Sequence, residues 1–209
     1  MSFRKEIKST INNSNIFNLR NWIFQNGGYE LYPDRTVNSV YFDNKENLMY
    51  FQSIEGLVPR KKIRIRNYND INILDQIDKI DHLEYKISSV EGRYKYIKKF
   101  DNKKILKSGL IDKDYGACYP VINVTYKRSY FKIKEVRLTI DTKIKYKKVN
   151  FQKISNFTIR DNLSVVELKY QNSNNDNFVI KNFPFQFNRF SKYCRGFEFT
   201  NKINCDESL

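Results

Sequence analysis

The sequence predicts an α+β fold that is mainly β, with antiparallel strands and a few flanking helices. Short stretches alternate apolar and charged residues, as in RKKIRIRNY (60–68), which is the period of a strand with one buried face. Turn residues such as Glu91 and Gly92 lie between two such stretches, 81–88 and 92–100, which are close enough in sequence to form a hairpin. Because no internal repeat and no linker rich in Pro, Gly or Ser interrupts the chain, one domain over 1–209 is expected, with a core at about 3–198.

The elements follow in order along the chain. The helix predicted at 12–28 is the best defined, because Asn and Ser can cap its start and Gly27 and Gly28 end it. Strands are predicted at 3–9, 37–44, 60–68, 81–88, 92–100, 120–131, 135–142 and 163–170, with an extension of the sheet at 143–151. Short helices are predicted at 46–56 and 102–109, a polar loop at 171–177, and a loop, a short helix and a final segment over 181–199.

Composition restricts the class of protein. The chain is 40% hydrophobic and 15% aromatic, so it can build a core and is not a disordered tail. Lys and Arg total 38 against 23 Asp and Glu, a net charge of +15, which favours a polyanionic partner such as nucleic acid, phosphate-rich molecules or an anionic membrane. Cys118, Cys194 and Cys205 form no CxxC pair, so reduced thiols are expected rather than a zinc site or a disulfide framework.

Neither a leader nor a membrane span is expected. The first residues, MSFRKEIKST, are charged and lack the apolar run of a signal peptide. No stretch approaches the about 20 apolar residues that a membrane span requires. The sequence therefore predicts a soluble, cytoplasmic protein.

Charged residues recur on one face of the predicted strands. The same-face sets are Glu6 and Lys8; Lys62, Arg64 and Arg66; Glu84 and Lys86; Arg93 and Lys95; Arg137 and Asp141; and Glu167 and Lys169. Solvated faces usually intersperse both signs, whereas cations predominate here. Two arrangements are consistent with the pattern: an open sheet with its charged face in water, or a closed barrel whose lumen holds the charges. Such a lumen requires water, carboxylates or a polyanion, because unpaired buried cations are unfavourable.

Several of these segments together resemble a known family. VNSVYFDN, RKKIRIRNY, LEYK, the YKRSYF and EVRLTID hairpin, VVELKY and FSKYCRG are similar to the VTC domain, the polyphosphate polymerase domain of the CYTH-like triphosphate tunnel superfamily. The resemblance runs from about Phe3 to about Gly196. It implies an eight-stranded antiparallel β-barrel tunnel lined by Lys, Arg and Glu.

The resemblance also implies roles for individual residues. The implied catalytic cations are Arg64, Arg66, Lys86, Arg128, Arg137 and Lys192. The implied phosphate-binding residues are Lys8, Lys62, Lys95, Lys169, Arg189 and Ser191. Glu167, together with Glu6, would bind the Mn²⁺ or Mg²⁺ ion. Arg189, Ser191 and Lys192 would form a cluster near one tunnel mouth, on the final helical segment.

The implied activity is transfer of the γ-phosphoryl group of ATP to a growing inorganic polyphosphate chain. A terminal phosphate is already anionic near neutral pH, so it attacks without a general base, and the sequence indicates no Ser-His-Asp or Cys-His set. Water as nucleophile would make the site a triphosphatase, and a nucleotide cyclase is a further tunnel enzyme. The expected partners are ATP and polyphosphate, together with a separately encoded membrane protein.

The alternative to an enzyme is a module that binds a polyanion and has no catalytic activity. Nucleic acid is not expected, because Tyr94 and Tyr96 lie on the face opposite the cations, where base stacking and phosphate contacts could not share a groove. Structural roles are expected for Asp141, as the partner of a tunnel cation, and for His82, and a packing role is expected for Trp22.

The sequence departs from the resemblance in two places. Arg4 stands where the wider superfamily has a first-strand carboxylate before Glu6 and Lys8, which favours the polymerase branch over the hydrolases. Gln52 and Ser53 stand where a basic residue is expected.

Overall fold

A computed structural model describes residues 5–68, 82–99, 105–150, 153–171 and 173–206. The predictions for residues 3–4, 81, 100, 102–104 and 151 lie outside the described residues. No helix among the described residues is long and apolar enough to cross a membrane.

Strands dominate the described residues, which confirms the predicted fold class. The strands are β1 Lys5–Asn12, β2 Tyr29–Asn44, β3 Arg60–Asn67, β4 His82–Ser88, β5 Arg93–Lys99, β6 Leu110–Asp112, β7 Gly116–Ile133, β8 Val136–Asn150, β9 Lys153–Ile154, β10 Ile159–Arg160 and β11 Leu163–Tyr170. The helices are a 3₁₀ turn at Asn13–Asn15, α1 Ile16–Gln25, α2 Leu48–Glu55, α3 Ile105–Ser108, α4 Ser173–Asn182 and α5 Lys192–Asp206.

Several predicted boundaries need correction. β2 begins at Tyr29 rather than at 37, and β8 runs through the predicted extension as one strand. The polar loop predicted at 171–177 is wrong, because α4 begins at Ser173. The apolar positions of α4, such as buried Val179, fall in its second half, so its first turn has no helical pattern to recognise. The short final helix is also wrong, since α5 is continuous over 15 residues.

The chain divides into two compact units, each built from three separated segments. Unit 1 comprises Met1–Thr36, Tyr126–Ile144 and Arg160–Phe190, and unit 2 comprises Val37–Thr125, Lys145–Ile159 and Ser191–Leu209. Unit 1 contains β1 and β11 with residues 136–144 of β8 and 126–133 of β7, in the order β1-β11-β8-β7. Unit 2 contains residues 37–44 of β2 with β3, β4 and β5, in the order β2-β3-β4-β5. Together these are eight strands, and every pairing with a described register is antiparallel. Closure of the strands into a tunnel and the single-domain interpretation stay predictions.

The core of unit 1 lies between α1 and the sheet. Leu19 and Ile23 of α1 are fully buried in one apolar cluster with residues such as Leu138 and Leu168. The predicted packing role of Trp22 is confirmed, because its ring stacks on Phe178 at 6.2 Å and packs edge-on to Phe183 at 5.5 Å. These contacts leave the opposite face of β1, β11 and β8 for charged side chains.

The core of unit 2 contains the isoleucines of β3, which confirms the prediction that this face of the strand is buried. Ile63 and Ile65 are fully buried, as is Met49 of α2. Asp43 lies near the end of β2, and its carboxylate accepts backbone N–H bonds from Met49 and Tyr50 in the first turn of α2 at 3.0 and 2.9 Å. It also accepts a hydrogen bond from the hydroxyl of Tyr193 in α5. This shared carboxylate fixes both helices to the end of β2.

Glycine permits close packing of α5 in unit 2. A Cβ atom on Gly196 would lie 2.4 Å from Tyr146 and 2.5 Å from Ile122, so no larger residue fits without a shift. The cysteines with described side chains, Cys118 and Cys194, are buried free thiols, whereas the side chain of Cys205 lies outside the described part. Burial raises the pKa of Cys118 to about 12.

Candidate functional site

In unit 1 the register of the strand pairs brings charged side chains together on one face of the sheet. Lys8 of β1 lies opposite Glu167 of β11, and Glu6 lies opposite Lys169. Lys169 in turn lies opposite Arg137 of β8. Since successive side chains on a strand alternate between faces, these positions all point to the face away from the apolar core.

Two carboxylates and two lysines form ion pairs with one another on this face. Lys169 Nζ lies 2.7 Å from Glu167 Oε1 and 3.5 Å from Glu6 Oε2. Lys8 Nζ lies 3.6 Å from Glu6 Oε1 and 3.9 Å from Glu167 Oε2. The glutamate side chains are 11% and 12% exposed, so both carboxylates are largely withdrawn from water. We call Glu6, Lys8, Glu167 and Lys169 the carboxylate–lysine cluster.

Neighbouring charges keep Glu167 ionised. Burial alone would raise the pKa of this carboxyl, but the positive charges of Lys8, Lys169 and Arg128 outweigh burial and hold the pKa well below its usual range. Glu167 is therefore a carboxylate throughout the neutral pH range, which is the form that can bind a metal ion or repel a second anion.

Arg128 is oriented by a buried carboxylate. Its Nε and Nη2 donate to the two oxygens of Asp141 at 2.5 and 2.7 Å, a bidentate pair, and the side chain of Asp141 is 1% exposed. Burial would lower the pKa of Arg128, but the charge of Asp141 outweighs it and raises that pKa well above its usual value. The predicted pairing of Asp141 with a cation is therefore confirmed.

A cavity of about 50 Å³ lies beside the carboxylate–lysine cluster. Its lining residues are Arg128, Arg137, Thr139, Glu167 and Lys169. One water requires about 10–15 Å³, so the cavity has room for several water-sized groups. The hydroxyl of Thr139 is buried and has no hydrogen-bond partner among the described residues. A buried unpaired hydroxyl beside three cations is suited to a bound anion, which would accept its hydrogen bond.

The residues present fit a divalent cation. Mg²⁺ and Mn²⁺ favour oxygen ligands, and Mg²⁺ is usually held by one or two carboxylates together with water and phosphate oxygens. Glu6 and Glu167 supply two carboxylates that face the same two lysines. Within the described part of the chain, no group of three or more His, Cys, Asp and Glu side chains is suited to a metal. A metal would therefore take its remaining ligands from substrate and water.

Unit 2 carries a second charged face. Arg64 Nε donates to Glu84 at 2.7 Å, and Lys95 Nζ donates to the other oxygen of Glu84 at 2.7 Å. Burial would raise the pKa of Glu84, yet Arg64 and Arg66 outweigh it and lower that pKa to about 2. Glu84 is thus an ionised counter-charge that keeps two cations in place. The sequence showed Glu84 on the charged face but did not indicate this role.

Tyr41 was missed by sequence reasoning. Arg64 Nη1 donates to its hydroxyl at 3.0 Å, and Arg66 Nε donates to Ser39 on the same strand at 3.0 Å. Burial would raise the pKa of Tyr41, but Arg64, Arg66 and Lys62 together lower it to about 8. The sequence does contain a signal for these contacts. Ser39 and Tyr41 are two residues apart and so share one face of β2, where they lie opposite Arg66 and Arg64 of β3.

Three lysines lie directly across neighbouring strands of unit 2. Lys86 of β4 is opposite Lys62 of β3 on one side and opposite Lys95 of β5 on the other. Like charges directly opposite each other are destabilising. We call these three residues the lysine row. An anion bound along it would contact cations from three strands.

The predicted cluster of Arg189, Ser191 and Lys192 is not on one helical segment. Arg189 and Ser191 precede α5, and Lys192 is its first residue. Ser191 begins the helix, because its hydroxyl accepts the backbone N–H of Cys194 at 3.3 Å. The same hydroxyl accepts a hydrogen bond from Lys62 at 2.7 Å, which places Ser191 beside the lysine row.

The structure thus brings the predicted site residues together within each unit. Those of unit 1 are Glu6, Lys8, Arg128, Arg137, Glu167 and Lys169; those of unit 2 with contacts described above are Lys62, Arg64, Arg66, Lys86, Lys95 and Ser191. Their catalytic and binding roles stay predictions, as do the roles of Arg189, Lys192 and His82. Gln52, which stands where a cation was expected, accepts a hydrogen bond from Tyr115 at 2.5 Å.

Comparisons with known proteins give the family and the fold. Residues 3–201 match the VTC domain. The fold is similar to that of a putative adenylate cyclase from Bacillus halodurans, with a TM-score of 0.61 and 13% identity over 94% of this chain and 98% of that one. It is also similar to a conserved hypothetical protein from Pyrococcus furiosus, with a TM-score of 0.51 and 14% identity over 91% of this chain and 99% of that one. No curated protein matches the chain. Because the family match covers nearly the whole sequence, the chain belongs to the VTC domain family.

Proposed function

We propose that this chain is a polyphosphate polymerase, which transfers the γ-phosphoryl group of ATP to the end of an inorganic polyphosphate chain with the help of Mn²⁺ or Mg²⁺. The observation that carries the proposal is the carboxylate–lysine cluster beside a small cationic cavity in a VTC domain. Two carboxylates suited to a metal and three cations suited to phosphate oxygens are the parts that phosphoryl transfer requires.

The cations of unit 1 would bind and orient the transferred group. Arg128 is held in one orientation by Asp141, and Arg137 packs its guanidinium over the ring of Tyr130 at 5.7 Å. Guanidinium groups fixed in this way lose little freedom when they grip phosphate oxygens. The free hydroxyl of Thr139 would donate to a phosphate oxygen inside the cavity.

Glu6 and Glu167 would hold the divalent cation. When bound, such an ion neutralises charge on the phosphate oxygens. Lys8 and Lys169 contact the two carboxylates in the free chain and hold the pKa of Glu167 well below its usual range. Both lysines would turn toward the phosphates of a bound substrate. The lysine row of unit 2 would bind phosphate groups in its own right.

The transfer is balanced without a general base. An oxygen of the terminal phosphate of the chain forms a bond to the γ-phosphorus of ATP, and the bond from that phosphorus to the β-phosphate oxygen breaks. ADP leaves with the electron pair, and the polyphosphate chain is one residue longer. The nucleophile is already anionic, so the residues have only to position the reactants and stabilise charge.

Product analysis tests the proposal. Purified chain is incubated with ATP and Mn²⁺, and the products are followed by ³¹P NMR. Resonances of internal phosphates that appear together with ADP support the polymerase. Free phosphate released with ADP, or tripolyphosphate released with adenosine, and no chain longer than three phosphates assigns hydrolysis. Absence of turnover with every divalent metal refutes an autonomous enzyme.

Matched variants connect the activity to the site. Glu167→Gln should abolish turnover and keep part of the polyphosphate binding, because it removes a metal ligand but none of the cations. Glu135→Gln is the control, since Glu135 is in unit 1 and its side chain is 78% exposed at a turn. Equal turnover in the two variants would remove Glu167 from the site.

A further inference from the structure

A second cavity in unit 1 lies on the opposite face of the sheet. Its volume is about 370 Å³, and its lining residues are Asn13, Ile16, Arg20, Asp34, Lys127, Ser129, Ile140, Thr142 and Lys143. Lys127 and Ser129 flank Arg128 in β7, and Ile140 follows Thr139 in β8. Because neighbours in a strand point to opposite faces, this cavity is separate from the one lined by Arg128 and Thr139.

The walls combine cations with an apolar surface. Arg20 donates to Ser129 at 3.3 Å and lies 3.6 Å from Glu30, and Lys127 lies 3.2 Å from Asp34. The lining residues include three cations and one carboxylate, and Glu30, the partner of Arg20, is not among them. Ile16 and Ile140 supply apolar surface in the same cavity. A net positive pocket with an apolar wall is suited to an anion that carries an organic group.

Asp34 does not neutralise the pocket. Burial would raise the pKa of this carboxyl, but a hydrogen bond from Ser129 and the charge of Lys127 lower it. Asp34 is therefore ionised at neutral pH and balances Lys127. Arg20 is balanced in the same way by Glu30. The positive charge that is left over belongs to Lys143.

Lys143 reaches the pocket through an unusual backbone conformation. Strict alternation in β8 would place it on the face of Asp141, yet it lines the same cavity as Ile140 and Thr142. Its φ is +51°, in the left-handed region that residues with a Cβ rarely adopt. Its side chain has no ion pair or hydrogen bond with the described residues. Backbone strain that presents an unpaired cation to a pocket is typical of binding sites.

We propose that this pocket binds a small organic phosphate, with the phosphate at Lys143, Lys127 and the hydroxyl of Thr142, and the organic group against Ile16 and Ile140. The volume is near the lower end of the about 300–1,000 Å³ typical of small-molecule sites, which suits a ligand of the size of a nucleoside monophosphate. The site is independent of the proposed polymerase activity, because it shares no lining residue with the first cavity.

Calorimetric titration of the full chain with AMP in EDTA tests the proposal, with inorganic phosphate and adenosine as separate titrants. We expect AMP to bind more tightly than either. Lys143→Gln should weaken AMP at least tenfold, and Lys127→Gln, at a half-exposed position, is the second variant in case the first does not fold. Lys145→Gln, exposed on the same strand and outside the pocket, should bind AMP as the wild type does.

Arg137→Gln separates the two cavities, because Arg137 lines only the first. AMP binding that survives this variant and is lost in Lys143→Gln supports the second site. Binding lost in Arg137→Gln but kept in Lys143→Gln overturns it and places AMP in the first cavity. No AMP binding at all, or inorganic phosphate that binds as tightly as AMP, also overturns it.

Discussion

Replacing Glu167 with Gln removes one buried negative charge and keeps the size of the side chain. The carboxylate lies 2.7 Å from Lys169 and 3.9 Å from Lys8, and 12% of the side chain is exposed. Removing one partner of a buried ion pair costs about 3–5 kcal/mol, whereas an exposed pair contributes less than about 1 kcal/mol. Since the two lysines are 38% and 25% exposed, we expect the free energy of unfolding to fall by about 2 kcal/mol at neutral pH.

The effect should depend on pH with a defined sign. The pKa of Glu167 is lower in the folded chain than in the unfolded chain, so its stabilising contribution is complete above the ordinary Glu pKa of about 4.3. The contribution is lost as the pH falls through the lower value of the folded chain. The difference in unfolding free energy between wild type and Glu167→Gln should therefore be constant from about pH 6 to 8 and shrink below about pH 4.

Urea unfolding followed by circular dichroism, repeated across this pH range, measures the difference. Glu135→Gln is again the control, because its side chain is exposed and its change in unfolding free energy should stay within about 0.5 kcal/mol. A difference for Glu167→Gln that is equally small, or that does not diminish in acid, would refute the ion-pair interpretation of the carboxylate–lysine cluster.

Three further predictions concern unit 2. Lys86→Gln should weaken tripolyphosphate binding in calorimetry, because Lys86 is the middle cation of the lysine row; unchanged binding would contradict this. In a titration followed by tyrosine absorbance, the wild type should show one phenol with a pKa of about 8, and Tyr41→Phe should lack it. A wild-type titration with no tyrosine in that range would contradict the lowered pKa of Tyr41. Gly196→Ala should lower the free energy of unfolding by about 1–3 kcal/mol through overpacking; an unchanged thermal midpoint would contradict the close approach of α5.

Alternation predicted the faces of the strands because it depends only on local geometry. Ile63 and Ile65 are buried while Lys62 and Arg64 face the other side, as the period of two requires. The same reasoning identified Glu167 on the charged face of β11. For these positions of β3 and β11, the period of two was sufficient to assign the charged face from the sequence.

Pairing between distant segments could not be predicted in the same way. Lys61 lies on the same apolar face of β3 as Ile63, and it is buried. Burial of this cation is possible because its Nζ is ion-paired with Asp112 at 2.8 Å and with Asp114 at 2.7 Å. Nothing near Lys61 in the sequence indicates these partners. The unpaired hydroxyl of Thr139 is similar, since its burial depends on side chains from neighbouring strands.

Exposure explains why the length of β2 was underestimated. Apart from Leu31 and Thr36, the residues from Tyr29 to Thr36 are exposed, and the segment includes Pro33, so apolar alternation is absent there. The pattern becomes recognisable at Val37, where the strand enters the core of unit 2. Hydrophobic periodicity reflects burial, so it is absent where the residues of a strand are exposed to solvent.

The order in which the chain is synthesised gives the charges of β1 another consequence. Among the described residues β1 pairs with β11, which begins at Leu163, so most of the chain must leave the ribosome before β1 has its hydrogen-bond partner. An unpaired strand in a nascent chain is a template for aggregation, and charged side chains are the usual protection. We therefore expect Lys5, Glu6 and Lys8 to protect the nascent chain from aggregation before they contribute to any site.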